Sequence, residues 1–309
     1  MGYTAVFGTV FVDVKGFAQN KYNPTGRNVG EVMILHGGVS RNVAENLANI
    51  GSPVSFISSF EPGGLGEAVK KHLIDQGVDV GYSRFAPECM GMWLAVMDEN
   101  GDLAGSISRQ PDFSMIERII DEQGDEIVSG CDNIVLEVDM NAEIAAKVFD
   151  LAQKHDKDVY VIVGNMGVIL KHQEHLPKAR LFILNEIEAG ALFGCELNPA
   201  EPEAVLWKLK QEMAKRGIRE MVVTLGEHGS VYYDAVNGES GYVGIVPAEH
   251  MVDSTGAGDS FFSATIAARM RGWSLEDAAQ LGAKLASMTI QSEEATCPVI
   301  HEMFGGGEA

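Results

Sequence analysis

Basic residues are scarce in this chain: 23 lysines and arginines stand against 44 aspartates and glutamates, a formal net charge of −21 over 309 residues. That balance repels a nucleic-acid backbone and an anionic membrane surface, so neither is an expected partner. Cysteine is equally sparse. Cys89, Cys131, Cys195 and Cys297 are scattered without a Cys-x-x-Cys pair, and no His-x-x-x-His pair occurs. A disulfide framework and a zinc site are both unexpected; free thiols in a reducing cytoplasm fit better. No apolar run reaches the ~18 residues of a membrane helix. The apolar stretch from Tyr3 to Val12 has no basic residues before it and no small-residue cleavage site after it, so it reads as a buried strand. Two phosphate-binding motifs are missing as well: no Gly-x-x-x-x-Gly-Lys-[Ser/Thr] loop, and no Gly-x-Gly-x-x-Gly after the first strand.

What is present is an alternation of short β-branched runs with helical stretches, the pattern of a mostly parallel sheet covered on both faces. Strands are predicted at Ala5–Val12, Val54–Ser58, Asn133–Val138, Val159–Val163, Leu181–Leu184 and Met221–Thr224. Helices are predicted at Arg41–Ile50, Gly64–Gln76, Ala142–Lys154, Glu186–Phe193 and Pro202–Arg216, with a last one from Ser274 to about Gln291. The length suits one large α/β domain. Two stretches break its rhythm, about residues 13–36 and 90–108. The second reads as a hairpin turning at Asn100-Gly101. Together they are expected to form a small β-sheet lid over the carboxyl ends of the main strands, where open sheets bind ligands. Another hairpin, turning at Asn237-Gly238, precedes the most informative segment of the chain.

That segment is Asp253-Ser254-Thr255-Gly256-Ala257-Gly258-Asp259, leading into an apolar helix from Ser260 to Met270. Glycines at a helix N-terminus leave backbone N–H groups bare, and the peptide dipoles there attract anions. A carboxylate beside such a site repels phosphate unless it has chemistry to do on a neighbouring hydroxyl. Asp259 is the candidate base, and Gly256, Ala257 and Gly258 the candidate cradle for developing charge. The plainer alternative is a tight turn with an aspartate cap. Elsewhere, Asn185 and Glu188 share one helix face after a strand, an amide and a carboxylate suited to a hydrated Mg²⁺ or to a simple capping box.

The Asp-Ser-Thr-Gly-Ala-Gly-Asp string resembles the C-terminal signature of the PfkB/ribokinase family of sugar and nucleoside kinases. Gly37-Gly38-Val39-Ser40-Arg41-Asn42-Val43-Ala44 is similar to the family's N-terminal Gly-Gly-x-x-x-Asn-x-Ala motif. The resemblance implies a three-layer α/β/α ribokinase-like fold and ATP- and Mg²⁺-dependent phosphorylation of a sugar or nucleoside hydroxyl. It implies sugar contacts for Asp13, Gly38 and Asn42, nucleotide contacts for Thr224, Gly226 and Gly229, and a water-mediated Mg²⁺ role for Asn185 and Glu188. Asp253 and Thr255 match positions associated with a monovalent cation such as K⁺, although Glu294-Ala295 replaces the usual Gly-Ala step. Asp259 would be the base, and the helix dipole would hold it ionised and weakly basic.

Within the family, Arg41-Asn42-Val43-Ala44-Glu45-Asn46-Leu47-Ala48 looks most similar to the pseudouridine kinases. Leu35-His36 and the strand Ser106–Gln110 depart from that branch, which leaves another nucleoside or sugar, or a non-catalytic sugar- or nucleotide-binding protein, as alternatives. Trp93 is a candidate for stacking on a base or for simple packing. Apolar residues at Met92, Trp93 and Leu94 suggest a homodimer through the lid, since a small exposed sheet is marginal alone.

Overall fold

The computed structural model describes residues 2–164 and 166–300. Its strands, in chain order, are β1 (Tyr3–Phe7), β2 (Phe11–Ala18), β3 (Gly30–Gly37), β4 (Val54–Ile57), β5 (Ser59–Phe60), β6 (Arg84–Phe85) and β7 (Gly91–Met97). They continue as β8 (Leu103–Arg109), β9 (Cys131–Glu137), β10 (Asp158–Ile162), β11 (Leu181–Asn185), β12 (Glu220–Thr224), β13 (Ser230–Asp234) and β14 (Glu239–Val243). The helices are α1 (Val39–Asn49), α2 (Gly64–Asp75), α3 (Ser114–Gly130), α4 (Ala142–Lys154), α5 (Glu186–Phe193), α6 (Pro202–Arg216), α7 (Ala257–Met270) and α8 (Leu275–Thr289).

Eight strands form the main sheet in the order β4-β1-β9-β10-β11-β12-β13-β14. Every pair from β4 to β12 is parallel, and β13–β14 adds an antiparallel hairpin at one edge. Because successive side chains on a strand point to opposite faces, each central strand feeds two cores. Ala5, Phe7, Ile134, Leu136, Val159, Val161, Met221 and Val223 pack with α3, α4, α5 and α6. Val6, Val135, Tyr160, Ile162 and Val222 pack with α1, α2, α7 and α8 on the other side. The result is a three-layer α/β/α domain whose parallel strands all end at one edge.

The first predicted strand, Ala5–Val12, is in fact two. At Thr9 the backbone N–H donates to Glu137 Oε2 (2.9 Å) instead of to a neighbouring strand. The chain thereby leaves the main sheet after β1 and enters a separate four-stranded sheet as β2. The apolar run continues from β1 into β2, so hydropathy alone cannot show this exit. The helix α3 is a second departure. Its buried Ile116, Ile119, Ile120 and Ile127 have helical spacing, but the segment follows a hairpin rather than one of the recognised strands. Of the other predicted helices, α4, α5 and α6 match at both ends, α1, α2 and α8 agree to within two residues at each end, and α7 begins three residues before the predicted Ser260.

The small sheet has the order β3-β2-β7-β8. Its register sorts side chains onto two faces. Leu35, Asp13, Trp93 and Ser108 form one cross-strand row, and Met33, Lys15, Ala95 and Ser106 form the next row on the same face. The opposite face carries the row Ile34, Val14, Leu94 and Ile107. Of these, Ile107 is 72% exposed and Ile34 57%. Trp93 therefore lies on the other face from Leu94 and Ile107, although the sequence reading had grouped Trp93 with Leu94.

Candidate functional site

α1 and α7 pack side by side and open toward the same cleft, each starting at a glycine closed to other residues. Gly38 caps α1 at φ 100°, and a Cβ there would stand 2.9 Å from Thr9 O. Gly256 caps α7 in the left-handed region at φ 79°, where a Cβ would meet Ala295 O at 1.9 Å. The predicted helix start at Ser260 moves back accordingly: Ala257, Gly258 and Asp259 are the first three residues of α7. The helix has no acceptor of its own for their N–H groups. Ala257 N donates to Ser254 O (3.3 Å) within the turn.

Asp259 is joined to α1 by a short hydrogen bond from Asn42 Nδ2 to its Oδ2, 2.6 Å. Asn42 is buried, and its Oδ1 has no protein partner among the described residues. Burial pushes the Asp259 carboxyl up to about 7, against the lowering effects of the Asn42 hydrogen bond and the Arg41 charge and with help from the Glu137 charge. The sequence reading considered only the helix dipole, which would hold the carboxyl ionised; burial acts in the opposite direction. Low-dielectric surroundings penalise the ionised form directly.

Two cavities flank the α1–α7 junction. One, of about 480 Å³, is lined by Asp13, Gly38, Thr9 and Glu137 together with Phe11, Trp93 and Phe113. Asp13 reaches it from the small sheet, with its pKa raised by burial and drawn back by Lys15 and Arg41. The second, of about 420 Å³, is lined by Thr224, Gly226, Gly229, Ala257 and Gly258 over an apolar wall that includes Val246, Phe261 and Ile290. The first cavity thus receives Asp13 and Gly38, and the second receives Thr224, Gly226 and Gly229. Asp259 and Asn42 line neither cavity; they meet where α1 packs against α7, near Val39 and Gly258, which do.

Asn185 and Glu188 form a reciprocal capping box at the start of α5: Glu188 N donates to Asn185 Oδ1 (2.8 Å) and Asn185 N donates to Glu188 Oε2 (2.9 Å). Register places Asn185 beside Thr224. Burial raises the Glu188 carboxyl, as do the charges of Asp139 and Glu186. Asp253 accepts from Thr255 N (2.9 Å) and Thr255 Oγ1 (2.8 Å) through Oδ1, while its Oδ2 faces Lys15 Nζ at 3.8 Å.

Two carboxylates escaped the sequence reading. Glu137, at the end of β9, accepts from Thr9 Oγ1 (2.9 Å) and Ser40 Oγ (2.6 Å) as well as Thr9 N, and burial raises its pKa. Asp139 accepts from the N–H groups of Gly164, Met166 and Val168 and so shapes the loop after β10. Acidic residues directly after the apolar run Ile134–Leu136 were a legible signal, since ligands gather at the carboxyl ends of such strands.

A family model described as pfkB family carbohydrate kinase matches residues 1–302. The guanosine-inosine kinase of Exiguobacterium acetylicum is 37% identical over 295 residues, covering 95% of this chain and 96% of that protein. The pseudouridine kinase of Escherichia coli strain K12 is 24% identical over 297 residues, covering 96% and 93%. Among solved structures, Arabidopsis thaliana ribokinase complexed with ribose and ATP superposes with a TM-score of 0.81 at 22% identity, covering 96% of each chain.

Proposed function

Because the chain belongs to the pfkB family of carbohydrate kinases, and is therefore a phosphotransferase with an alcohol acceptor, we propose that it transfers the terminal phosphoryl of ATP to a sugar hydroxyl of a purine nucleoside. The observation that carries this reading is the hydrogen bond from Asn42 to Asp259 where α1 packs against α7. A base serves an in-line transfer by reaching the acceptor hydroxyl, and Asp259 lies next in the chain to Gly258 of one cavity and bonds the helix whose Gly38 and Val39 line the other.

The acceptor occupies the cavity beneath the small sheet, with Asp13 and Asn42 hydrogen-bonding its sugar. Phe11, Trp93 and Phe113 supply flat apolar surface for a base, which a free sugar would not use. The identity of 37% to a guanosine-inosine kinase, against 24% to a pseudouridine kinase, moves the choice from pseudouridine to a purine nucleoside. Pseudouridine remains the second reading on the strength of the Arg41–Ala48 run.

ATP occupies the other cavity, with its phosphates toward the N-terminus of α7. As the acceptor oxygen bonds to the γ-phosphorus and the bond to ADP breaks, the hydroxyl proton passes to the Asp259 carboxylate. A loose transition state releases that proton late, so a base of this strength suffices. The N–H groups of Gly258 and Asp259 receive the charge on the phosphoryl oxygens. Mg²⁺ carried with ATP would neutralise phosphate charge, and Glu188 keeps Oε1 outside the capping box for its water shell. Asp253 and Thr255, the residues matched to a monovalent cation, bond to each other, and Asp253 Oδ2 faces Lys15.

In this reading residues 1–309 are one catalytic domain and the small sheet is its lid. The exposed Ile34, Leu94 and Ile107 of its apolar row form the surface on which a second copy docks. The test is ADP release with MgATP against guanosine, inosine, adenosine, pseudouridine and ribose. Turnover confined to pseudouridine or ribose would discard the purine assignment, and turnover on none of them would discard the nucleoside.

A further inference from the structure

Lys15 has no part in the scheme above, yet it reaches from the small sheet to the loop that opens α7. It shares a sheet face with Asp13, two residues away, so its side chain extends on the same side as the acceptor cavity. Its Nζ lies 3.8 Å from Asp253 Oδ2, the carboxylate whose other oxygen holds Thr255 N and Oγ1. Only 12% of the Lys15 side chain is exposed. At 3.8 Å the pair is a charge contact rather than a hydrogen bond, and the Lys15 ammonium makes no hydrogen bond among the described residues. A covered ammonium with three unused donors is an incomplete arrangement, because lost hydration has not been replaced.

The other cation of the cleft, Arg41, is buried and anchored elsewhere. Arg41 donates to Glu45 Oε2 (2.7 Å), to His36 O and to Gly37 O (3.4 Å), which binds it into the base of α1. Lys15 is thus the cationic side chain that faces the signature loop with its ammonium donors unused. An anionic phosphoryl group bound at α7 in a chain of net charge −21 lacks compensation from the bulk of the protein.

We propose that Lys15 is a phosphate-binding catalytic residue: its ammonium leaves Asp253 to bind oxygens of the phosphoryl group in transit, with Asp253 holding it in place while the site is empty. This rests on the kinase reading above. The bond from acceptor oxygen to phosphorus forms, the bond from phosphorus to the ADP oxygen breaks, and the hydroxyl proton goes to Asp259. Lys15 keeps its own protons and supplies charge and donors throughout. Because Lys15 is part of the small sheet, the arrangement also ties acceptor coverage to phosphoryl stabilisation.

The experiment compares wild type, Lys15→Met, Lys15→Arg and Asp253→Asn in two measurements. Tripolyphosphate binding by calorimetry needs no nucleoside; we expect it to weaken by at least about tenfold in Lys15→Met, to recover in part in Lys15→Arg, and to hold in Asp253→Asn. Turnover on the preferred nucleoside is expected to lose about 10²–10³-fold in kcat in Lys15→Met, with the nucleoside KM changing by less than about threefold. Unaltered tripolyphosphate binding in Lys15→Met would overturn the proposal. So would equal weakening in Lys15→Met and Asp253→Asn, which would make the two residues a structural pair. Absence of wild-type turnover on every nucleoside would sink the functional reading instead, and the tripolyphosphate result would still decide the role of Lys15.

Discussion

Asn42 and Asp259, 217 positions apart in the chain, are joined by a 2.6 Å hydrogen bond between the first turns of two packed helices. The bond fixes the Oδ2 edge of Asp259, while burial keeps its carboxyl near neutrality at about 7. A carboxylate that is both oriented and raised is prepared to accept a proton at physiological pH.

Replacing Asp259 with Asn keeps the shape and removes the base. We expect kcat to fall by about 10²–10⁴-fold, with nucleoside and ATP affinities nearly unchanged. Rapid-quench turnover and calorimetry on the same protein separate the two effects; equal losses in binding and rate would argue for a structural role.

The pH profile follows from the same group. Asp259 must be ionised to act, so kcat/KM is expected to rise with pH and level off above an inflection near 7, where the free protein's carboxyl titrates. Stability has the opposite sign. The folded pKa is raised above the ordinary 3.8, so its contribution is fully present below about pH 4 and is lost as pH rises through 7. Thermal midpoints of the ligand-free protein should therefore fall between about pH 5 and about pH 8 more steeply in wild type than in Asp259→Asn.

The two signature glycines should respond differently to alanine. At Gly256 the added Cβ would lie 1.9 Å from Ala295 O in a backbone region closed to L residues, so Gly256→Ala should lose stability, by about 1–3 kcal/mol or more. At Gly258 no atom lies within 4 Å of the added Cβ. Gly258→Ala should fold at least as well, through better helix propensity of about 1 kcal/mol, yet bind ATP more weakly because the methyl group projects into the nucleotide cavity. Denaturant melts and ATP titrations of both variants check the contrast.

Trp93→Ala should raise the nucleoside KM by about tenfold or more, the loss of one aromatic face, and change the KM of any free sugar little. A similar rise for both would move Trp93 from base contact to lid packing.

The dimer prediction uses the opposite face of the same sheet. Wild type is expected to sediment as a dimer, and the double variant Ile34→Glu, Ile107→Glu as a monomer of unchanged secondary structure. A wild-type monomer at micromolar concentration would refute it.

The reach of the sequence differed from element to element. The periodicities of α4, α5 and α6 gave their boundaries, because an amphipathic helix ends where its apolar spacing and caps end. The split of β1 from β2 was hidden, since the apolar run continues through the point where Glu137 captures the Thr9 N–H. Glu137 itself was passed over because a lone acidic residue in a sequence carries no sign of the hydroxyls that will surround it.

The order of short motifs along the chain was enough to fix the kinase family and the mostly parallel α/β architecture, because local spacing and turn chemistry are written in neighbouring residues. The proton affinity of Asp259, the face on which Trp93 lies and the approach of Lys15 to Asp253 were decided by tertiary structure alone. Each depends on groups far apart in the chain and on the water their packing excludes, and neither distance nor dielectric is encoded at any single position.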